Sequence, residues 1–116
     1  MRTVVLGRGW RQCFAILGLS LLNAGVAWGQ VSADGLALAK SKTCLGCHQV
    51  DAKRVGPSFK AIAQRYVGQD NAEPLLSAAI RQGGKGRWGA VPMPAQSQVS
   101  EQDAQRLAQW IISLRP

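Results

Sequence analysis

The sequence has few of the side chains that most enzymes use for catalysis. Of its 116 residues, three are cysteine, one is histidine and six are acidic. No pair of carboxylates stands out at a spacing suited to acid–base work. One histidine cannot serve both a cofactor and a Ser-His-Asp triad. We therefore expect a protein that is not an enzyme.

The first part of the chain lacks acidic residues and has the pattern of a secretory signal. No acid precedes Asp34, and an apolar run covers residues 13–27. This run is shorter than the about 20 residues of a membrane helix. A basic start, a short apolar segment and small residues after it are typical of a signal peptide. The basic residues at the start are Arg2, Arg8 and Arg11.

We predict a signal peptide over residues 1–29, cut after Ala27 or after Gly29, because small residues fit both positions. An uncleaved membrane anchor is the alternative. Cleavage would release one domain, residues 30–116, into the periplasm, without stable membrane insertion. It would also remove three arginines and lower the formal net charge from +8 to +5.

The predicted domain is too small to bury a large apolar core, and domains of this size usually need a disulfide, a metal or another staple. Its only cysteines are Cys44 and Cys47. A disulfide between them would close a very small loop and stabilise little. Another group must therefore complete the core.

The spacing of apolar residues predicts an all-α fold, because no segment shows the alternation of a half-buried strand. Ser32 or Asp34 is the predicted cap of a first helix that runs towards Cys44. A second helix is predicted over residues 59–66, with Gly68 after its end.

Two further helices flank a long loop. The third helix is predicted to begin at Glu73-Pro74 and to stop at Gly83-Gly84. Residues 83–99 are rich in glycine, proline and small polar residues, and they predict a loop of a length that is usually functional or disordered. Ser100 is the predicted N-cap of the final helix, whose first turn is acidic.

The segment Cys44-Leu45-Gly46-Cys47-His48 is a C-x-x-C-H motif, the attachment signature of c-type haem. Thiols three residues apart on a helical turn lie on the same side, so both reach the vinyl groups on one porphyrin edge. We predict thioether bonds from Cys44 and Cys47 to one covalent haem c, with His48 bound to its iron. The alternatives are a redox-active dithiol, a structural disulfide and a zinc site, which would lack a fourth ligand.

Met93 is the predicted second axial ligand of the haem iron. It is the only methionine besides Met1, and it lies between Pro92 and Pro94 in the long loop. The prolines restrict the backbone on both sides, which suits a thioether that must keep its distance from iron. The alternative is an ordinary packing role. A His48/Met93 pair fills both axial positions and favours electron transfer over oxygen or peroxide chemistry.

Over residues 38–114 the sequence resembles the small bacterial class I cytochromes c of the c-551/c-552 (c8) type. Besides the C-x-x-C-H motif, the matching segments are Val55-Gly56-Pro57-Ser58-Phe59-Lys60, Gly86-Arg87-Trp88-Gly89, Pro92-Met93-Pro94 and the final helix with Ala104–Trp110. The resemblance implies four to five short helices wrapped around one covalently bound haem. It also implies that the first and last helices cross, with Leu38 or Ala39 near Leu107 and Trp110.

The same resemblance implies roles for two residues outside the motif. The carbonyl of Pro57 would accept a hydrogen bond from His48 and fix its tautomer. The indole N–H of Trp88 would donate to a haem propionate. The sequence departs from the family at Ala95 and Gln96, where members often have proline and asparagine.

Basic residues outnumber acidic ones by 14 to 6. Nucleic-acid binding is not expected, because a phosphate-loop motif is absent and only Trp88 interleaves with the basic stretch. The basic residues either ring an exposed haem edge and steer acidic partners, or form a scattered solvated surface. They are Lys40, Lys42, Lys53, Lys60, Arg81, Lys85 and Arg87.

Together these features predict a monomeric periplasmic electron carrier that passes one electron at a time between respiratory redox proteins. The expected donor is a quinol-oxidising complex, and the expected acceptor is a terminal oxidase, a nitrite reductase or a peroxidase. A haem subunit of a periplasmic oxidoreductase complex is the alternative. A sensor in which a gas displaces Met93 is a third hypothesis.

Overall fold

The computed structural model describes the backbone of residues 27–116 and the side chains of residues 33–116. This part of the chain contains four α-helices, one short 3₁₀ helix and no β-strand other than an isolated bridge. None of its helices is long and apolar enough to cross a lipid bilayer. The elements are α1 (Ala27–Ser41), the 3₁₀ helix (Cys44–Gly46), α2 (Phe59–Arg65), α3 (Ala72–Gln82) and α4 (Glu101–Ser113).

Two helices begin at serine caps. The hydroxyl of Ser58 accepts a hydrogen bond from Ala61 N (3.0 Å) at the start of α2. The hydroxyl of Ser100 accepts one from Asp103 N (3.1 Å) at the start of α4, as the sequence predicts. Such caps satisfy amide hydrogens that the first helical turn leaves without a partner.

The predicted start of α1 is wrong. The helix begins at Ala27, so Ser32 and Asp34 lie inside it and neither caps it. No proline lies before Ser32 and Asp34, so the amide hydrogens of both residues can bond to carbonyls one turn earlier in α1. Neither position therefore needs a cap. Most of the predicted signal peptide, residues 1–26, lies outside the described residues. Both predicted cleavage positions fall in the first turn of α1.

The first and last helices pack together through a glycine. A Cβ built on Gly35 of α1 would lie 2.0 Å from Cγ of Trp110, so the two helices approach more closely than any side chain at position 35 allows. Ala39, one turn further along α1, is fully buried in the same apolar cluster as Leu107 and Trp110. Leu38 packs against that cluster from a half-buried position.

The other two helices also pack on α4. Helix α3 contributes Leu76 and Ile80 to the core, and Gln109 of α4 donates a hydrogen bond to Glu73 at its start (3.1 Å). Helix α2 contributes Phe59, whose ring meets that of Trp110 edge-on at a centroid distance of 4.9 Å. Helix α4 is therefore the common support of the fold.

The predicted loop at residues 83–99 is closed near its base. Gly84 and Met93 form an antiparallel bridge, in which each amide donates to the other residue's carbonyl (3.0 and 2.8 Å). The amide of Gln96 donates to the carbonyl of Ile80 in α3 (3.2 Å). Residues 93–96, called the methionine segment below, therefore lie against the end of α3.

Candidate haem site

The C-x-x-C-H motif folds as a single tight turn. The carbonyl of Cys44 accepts hydrogen bonds from the amides of Cys47 (3.1 Å) and His48 (2.9 Å). Thr43, just before this turn, has a left-handed backbone with φ of 61°, which ends α1 and redirects the chain. The turn therefore brings the two thiol-bearing residues and the histidine together within one short segment.

Both cysteines carry free thiols, but their surroundings differ. Cys44 is half-buried beside the core, whereas Cys47 is exposed. Burial raises the pKa of the Cys44 thiol above its ordinary value, so this group is a neutral thiol near neutral pH. Neither sulfur is committed to a disulfide, and both are available for bonds to a cofactor.

The imidazole of His48 is buried and held in one tautomer. Its Nδ1 lies 2.7 Å from the carbonyl oxygen of Pro57, and the side chain is 8% exposed. A carbonyl oxygen can only accept, so Nδ1 carries the hydrogen of this bond. In the neutral ring the lone pair is then on Nε2, which is the atom left to bind a metal.

The loop after the motif closes around this imidazole. The amide of Gly56 donates to the carbonyl of Cys47 (2.8 Å), and a Cβ at Gly56 would lie 2.5 Å from Cε1 of His48. Only glycine therefore lets the backbone pass so close to the ring. The imidazole also stacks with Phe59 at a centroid distance of 5.3 Å.

Met93 is half-buried, and its backbone is fixed by the Gly84 bridge. The backbone amide of Gln96 donates to the carbonyl of Ile80, and the side chain of Gln96 donates to the carbonyl of Pro94 (2.9 Å). At the position where the sequence departs from the family pattern, Gln96 thus still supplies a hydrogen bond to the methionine segment.

Trp88 is 37% exposed and lies under an arginine. The guanidinium carbon of Arg65 is 4.5 Å from the centre of the indole, and Arg65 also donates to the carbonyl of Arg87 (2.6 Å). The Arg87 guanidinium donates to the hydroxyl of Tyr66 (3.0 Å). The contacts of Arg65 and Arg87 tie the loop that holds Trp88 to the end of α2. The Arg65 guanidinium over the indole face forms an attractive cation–π pair.

The seven basic residues proposed to ring a haem edge are all at least partly exposed. Two of them are neutralised, since Lys42 pairs with Asp103 (2.9 Å) and Lys60 pairs with Asp51. In the described part of the chain no carboxylate pairs with the other five, so these five are the positive charges left for an acidic partner.

These residues fit a covalent haem. The turn offers two thiols that no disulfide uses and an imidazole with Nε2 free for iron. Sequence reasoning missed the contributions of Gly56, Gly84 and Arg65, although the paired glycines at 83–84 could have indicated a close backbone approach.

Comparison with known proteins decides the family. The family model of cytochrome c matches residues 32–115. This chain belongs to the cytochrome c family. The match covers α2, α3, α4 and most of α1, and it contains every residue of the candidate site.

This cytochrome is similar to characterised bacterial relatives over most of its length. It is 44% identical to cytochrome c-552 of Nitrosomonas europaea over 91% of this chain and 96% of that protein. It is 40% identical to cytochrome c-551 of Pseudomonas aeruginosa over 86% of this chain and 95% of that protein. The crystal structure of wild-type N. europaea cytochrome c552 superposes with a TM-score of 0.67 at 46% identity, covering 68% of this chain and 98% of that one.

These similarities confirm three predictions made from the sequence. The chain is a cytochrome c of the c-551/c-552 type, its fold is all-α, and its cofactor is covalently bound haem c.

Proposed function

We propose that this cytochrome is a periplasmic carrier of single electrons, with Cys44 and Cys47 bonded to haem and with His48 and Met93 as the axial ligands of its iron. The observation that carries this proposal is the 2.7 Å contact between His48 Nδ1 and the Pro57 carbonyl. It leaves Nε2 as the metal-binding atom of a histidine that directly follows two free thiols.

The bound haem supplies a one-electron couple between ferric and ferrous iron. The protein's part is to keep both axial ligands in place in either state, so that little reorganisation accompanies transfer. A buried imidazole held by Pro57 and a methionine backbone held by Gly84 suit that task. Because His48 and Met93 would both hold the iron, oxygen and peroxide would find no free position on it, which favours a carrier over an enzyme.

Export is part of the proposal. The signal peptide ends after residue 27 or 29, and the mature domain then works in the periplasm. N-terminal sequencing of protein purified from a periplasmic fraction tests this directly. Recovery of the intact N-terminus from a membrane fraction would contradict it.

The proposed partners are redox proteins: a quinol-oxidising complex as donor and an oxidase, nitrite reductase or peroxidase as acceptor. The indole of Trp88 would bind a haem propionate near the protein surface. A monomer that reacts with several purified partners supports a free carrier, whereas stable copurification with a larger subunit supports the alternative of a complex subunit.

The ligand assignment is tested by Met93→Ala in protein matured with haem. We expect the wild type to show the weak long-wavelength absorption that marks thioether–iron coordination. Met93→Ala should lose this band and should bind carbon monoxide when reduced. Val91→Ala is the matched control, because Val91 lies in the same loop and is 63% exposed. Retention of the band in Met93→Ala would refute the assignment.

A further inference from the structure

Helix α3 ends in a conformation that requires glycine. Its last residue is Gln82, and Gly83 follows with φ of 72° and ψ of −167°. This region of backbone space is accessible to almost no residue other than glycine. The amide of Gly83 still donates to the carbonyl of Ala79 (2.9 Å), so the turn is attached firmly to the helix.

The methionine segment lies directly on the Cα of Gly83. A Cβ there would be 2.4 Å from the carbonyl oxygen of Met93, 2.7 Å from Ala95 N and 2.9 Å from the carbonyl carbon of Pro94. All three atoms belong to the backbone, which cannot rotate aside as a flexible side chain can. Any larger residue at position 83 therefore displaces the segment as a whole.

Two further tethers hold the same segment to the same helix end. The bridge with Gly84 fixes Met93 through both of its backbone groups (3.0 and 2.8 Å). The amide of Gln96 bonds to Ile80, whose side chain is buried in the core (3.2 Å). The end of α3 therefore sets where the Met93 backbone lies.

We propose that Gly83 is a positioning residue for the Met93 thioether. Its missing side chain lets the methionine segment lie against α3 at the depth from which the sulfur reaches the iron. This inference rests on the proposed axial role of Met93. It assigns to Gly83 an effect on the iron–sulfur bond beyond its role in ending the helix.

The test compares Gly83→Ala with Gly86→Ala in haem-loaded protein. Gly86 belongs to the same loop and has a similar φ of 76°, but a Cβ there would meet nothing within 4 Å. Both changes therefore place alanine at a positive φ, and only Gly83→Ala pushes on the Met93 segment. Gly86→Ala is thus the control for a positive φ in the same loop.

We expect Gly83→Ala to lose most of the thioether–iron absorption band, to have a lower midpoint potential, and to bind added imidazole about tenfold or more tightly in the ferric state. Gly86→Ala should keep the band and the imidazole affinity of the wild type, even if it unfolds at a lower urea concentration. Equal bands and affinities in the two variants would overturn the proposal.

If Gly83→Ala accumulates no holoprotein, Gln96→Pro tests whether the attachment of the methionine segment to α3 positions Met93. It removes the amide hydrogen that bonds to Ile80 and the side-chain bond to the Pro94 carbonyl, and it leaves Gly83 unchanged. We expect a partial loss of the band, and full retention would overturn the proposal. If instead Met93→Ala leaves the band unchanged, the axial role itself fails, and that outcome is distinct from failure of the Gly83 inference alone.

Discussion

The crossing of α1 and α4 gives the sharpest prediction for stability. Replacing Gly35 by alanine places a Cβ 2.0, 2.3 and 2.5 Å from Cγ, Cδ1 and Cβ of Trp110. Carbon atoms prefer separations of about 3.5–4.0 Å, so the added methyl group lies about 1.5 Å too close. Trp110 is 2% exposed, and its Cβ is bonded to the helix backbone, so it cannot turn away from the contact.

Two opposing effects decide the sign. Alanine is better than glycine inside a helix by about 1 kcal/mol. Overpacking a well-filled core costs about 1–3 kcal/mol, and the overlap with Trp110 favours the upper end of that range. We expect a net loss of about 2 kcal/mol in the free energy of unfolding, which lowers the Tm of a domain of this size by about 8–16 °C.

Urea unfolding of the haem-loaded protein, followed by far-ultraviolet circular dichroism, measures this change. A double-mutant cycle supplies the control. In a Trp110→Ala background Cγ and Cδ1 are gone and only the Cβ contact remains, so Gly35→Ala should cost clearly less there than in the wild type. If Gly35→Ala is as stable as the wild type, or if it costs as much with alanine at position 110, the close approach of the two helices is not what the glycine provides.

Two further predictions concern the imidazole and an ion pair. Gly56→Ala should reduce the yield of haem-loaded protein several-fold, because its Cβ would push into the His48 ring. Gly46→Ala is the control and should keep the yield, because its Cβ meets nothing within 4 Å. Equal yields of the two variants would contradict the proposed clash with the imidazole. The hydrogen bond and the charge of Lys42 hold the pKa of Asp103 below its ordinary value. The contribution of the Asp103 carboxylate to stability is therefore present above about pH 4, and it is lost as the pH falls through the lowered pKa of the folded state. The difference in urea midpoint between wild type and Asp103→Asn should therefore shrink in acid, and also in high salt; a pH-independent difference would refute it.

Local signals in the sequence predicted local structure well. Ser100 is followed by acids and an apolar stripe, and it caps α4 as expected. The paired glycines at 83–84 stop α3, and the left-handed Gly68 follows α2, at the predicted places. These features depend on residues within one helical turn of each other, and a single sequence contains that information.

Features that depend on distant parts of the chain were not predicted in detail. The bridge between Gly84 and Met93, the position of Arg65 over Trp88 and the contact of Gly35 with its partner helix each join segments that only the folded chain brings together. A glycine inside a helix or a loop has many possible reasons, and the sequence does not say which backbone or ring will lie against it. The motif indicates Cys44, Cys47 and His48 as the expected haem-binding residues, and the resemblance indicates Pro57 as the partner of His48, but neither indicates the roles of Gly56 or Gly84.

The two proposed axial ligands are supported by different helices that share one base. His48 stacks with Phe59 at the start of α2, and Phe59 in turn meets Trp110 of α4 edge-on. Met93 is fixed to the end of α3, which also packs on α4. A disturbance near Trp110 should therefore reach both ligands, whereas one confined to the end of α3 should reach only the methionine. The Gly35 variant should accordingly weaken the iron–methionine band as well as lose stability, because the added methyl group presses on Trp110 in the helix that supports both ligands, and close-packed interiors transmit strain.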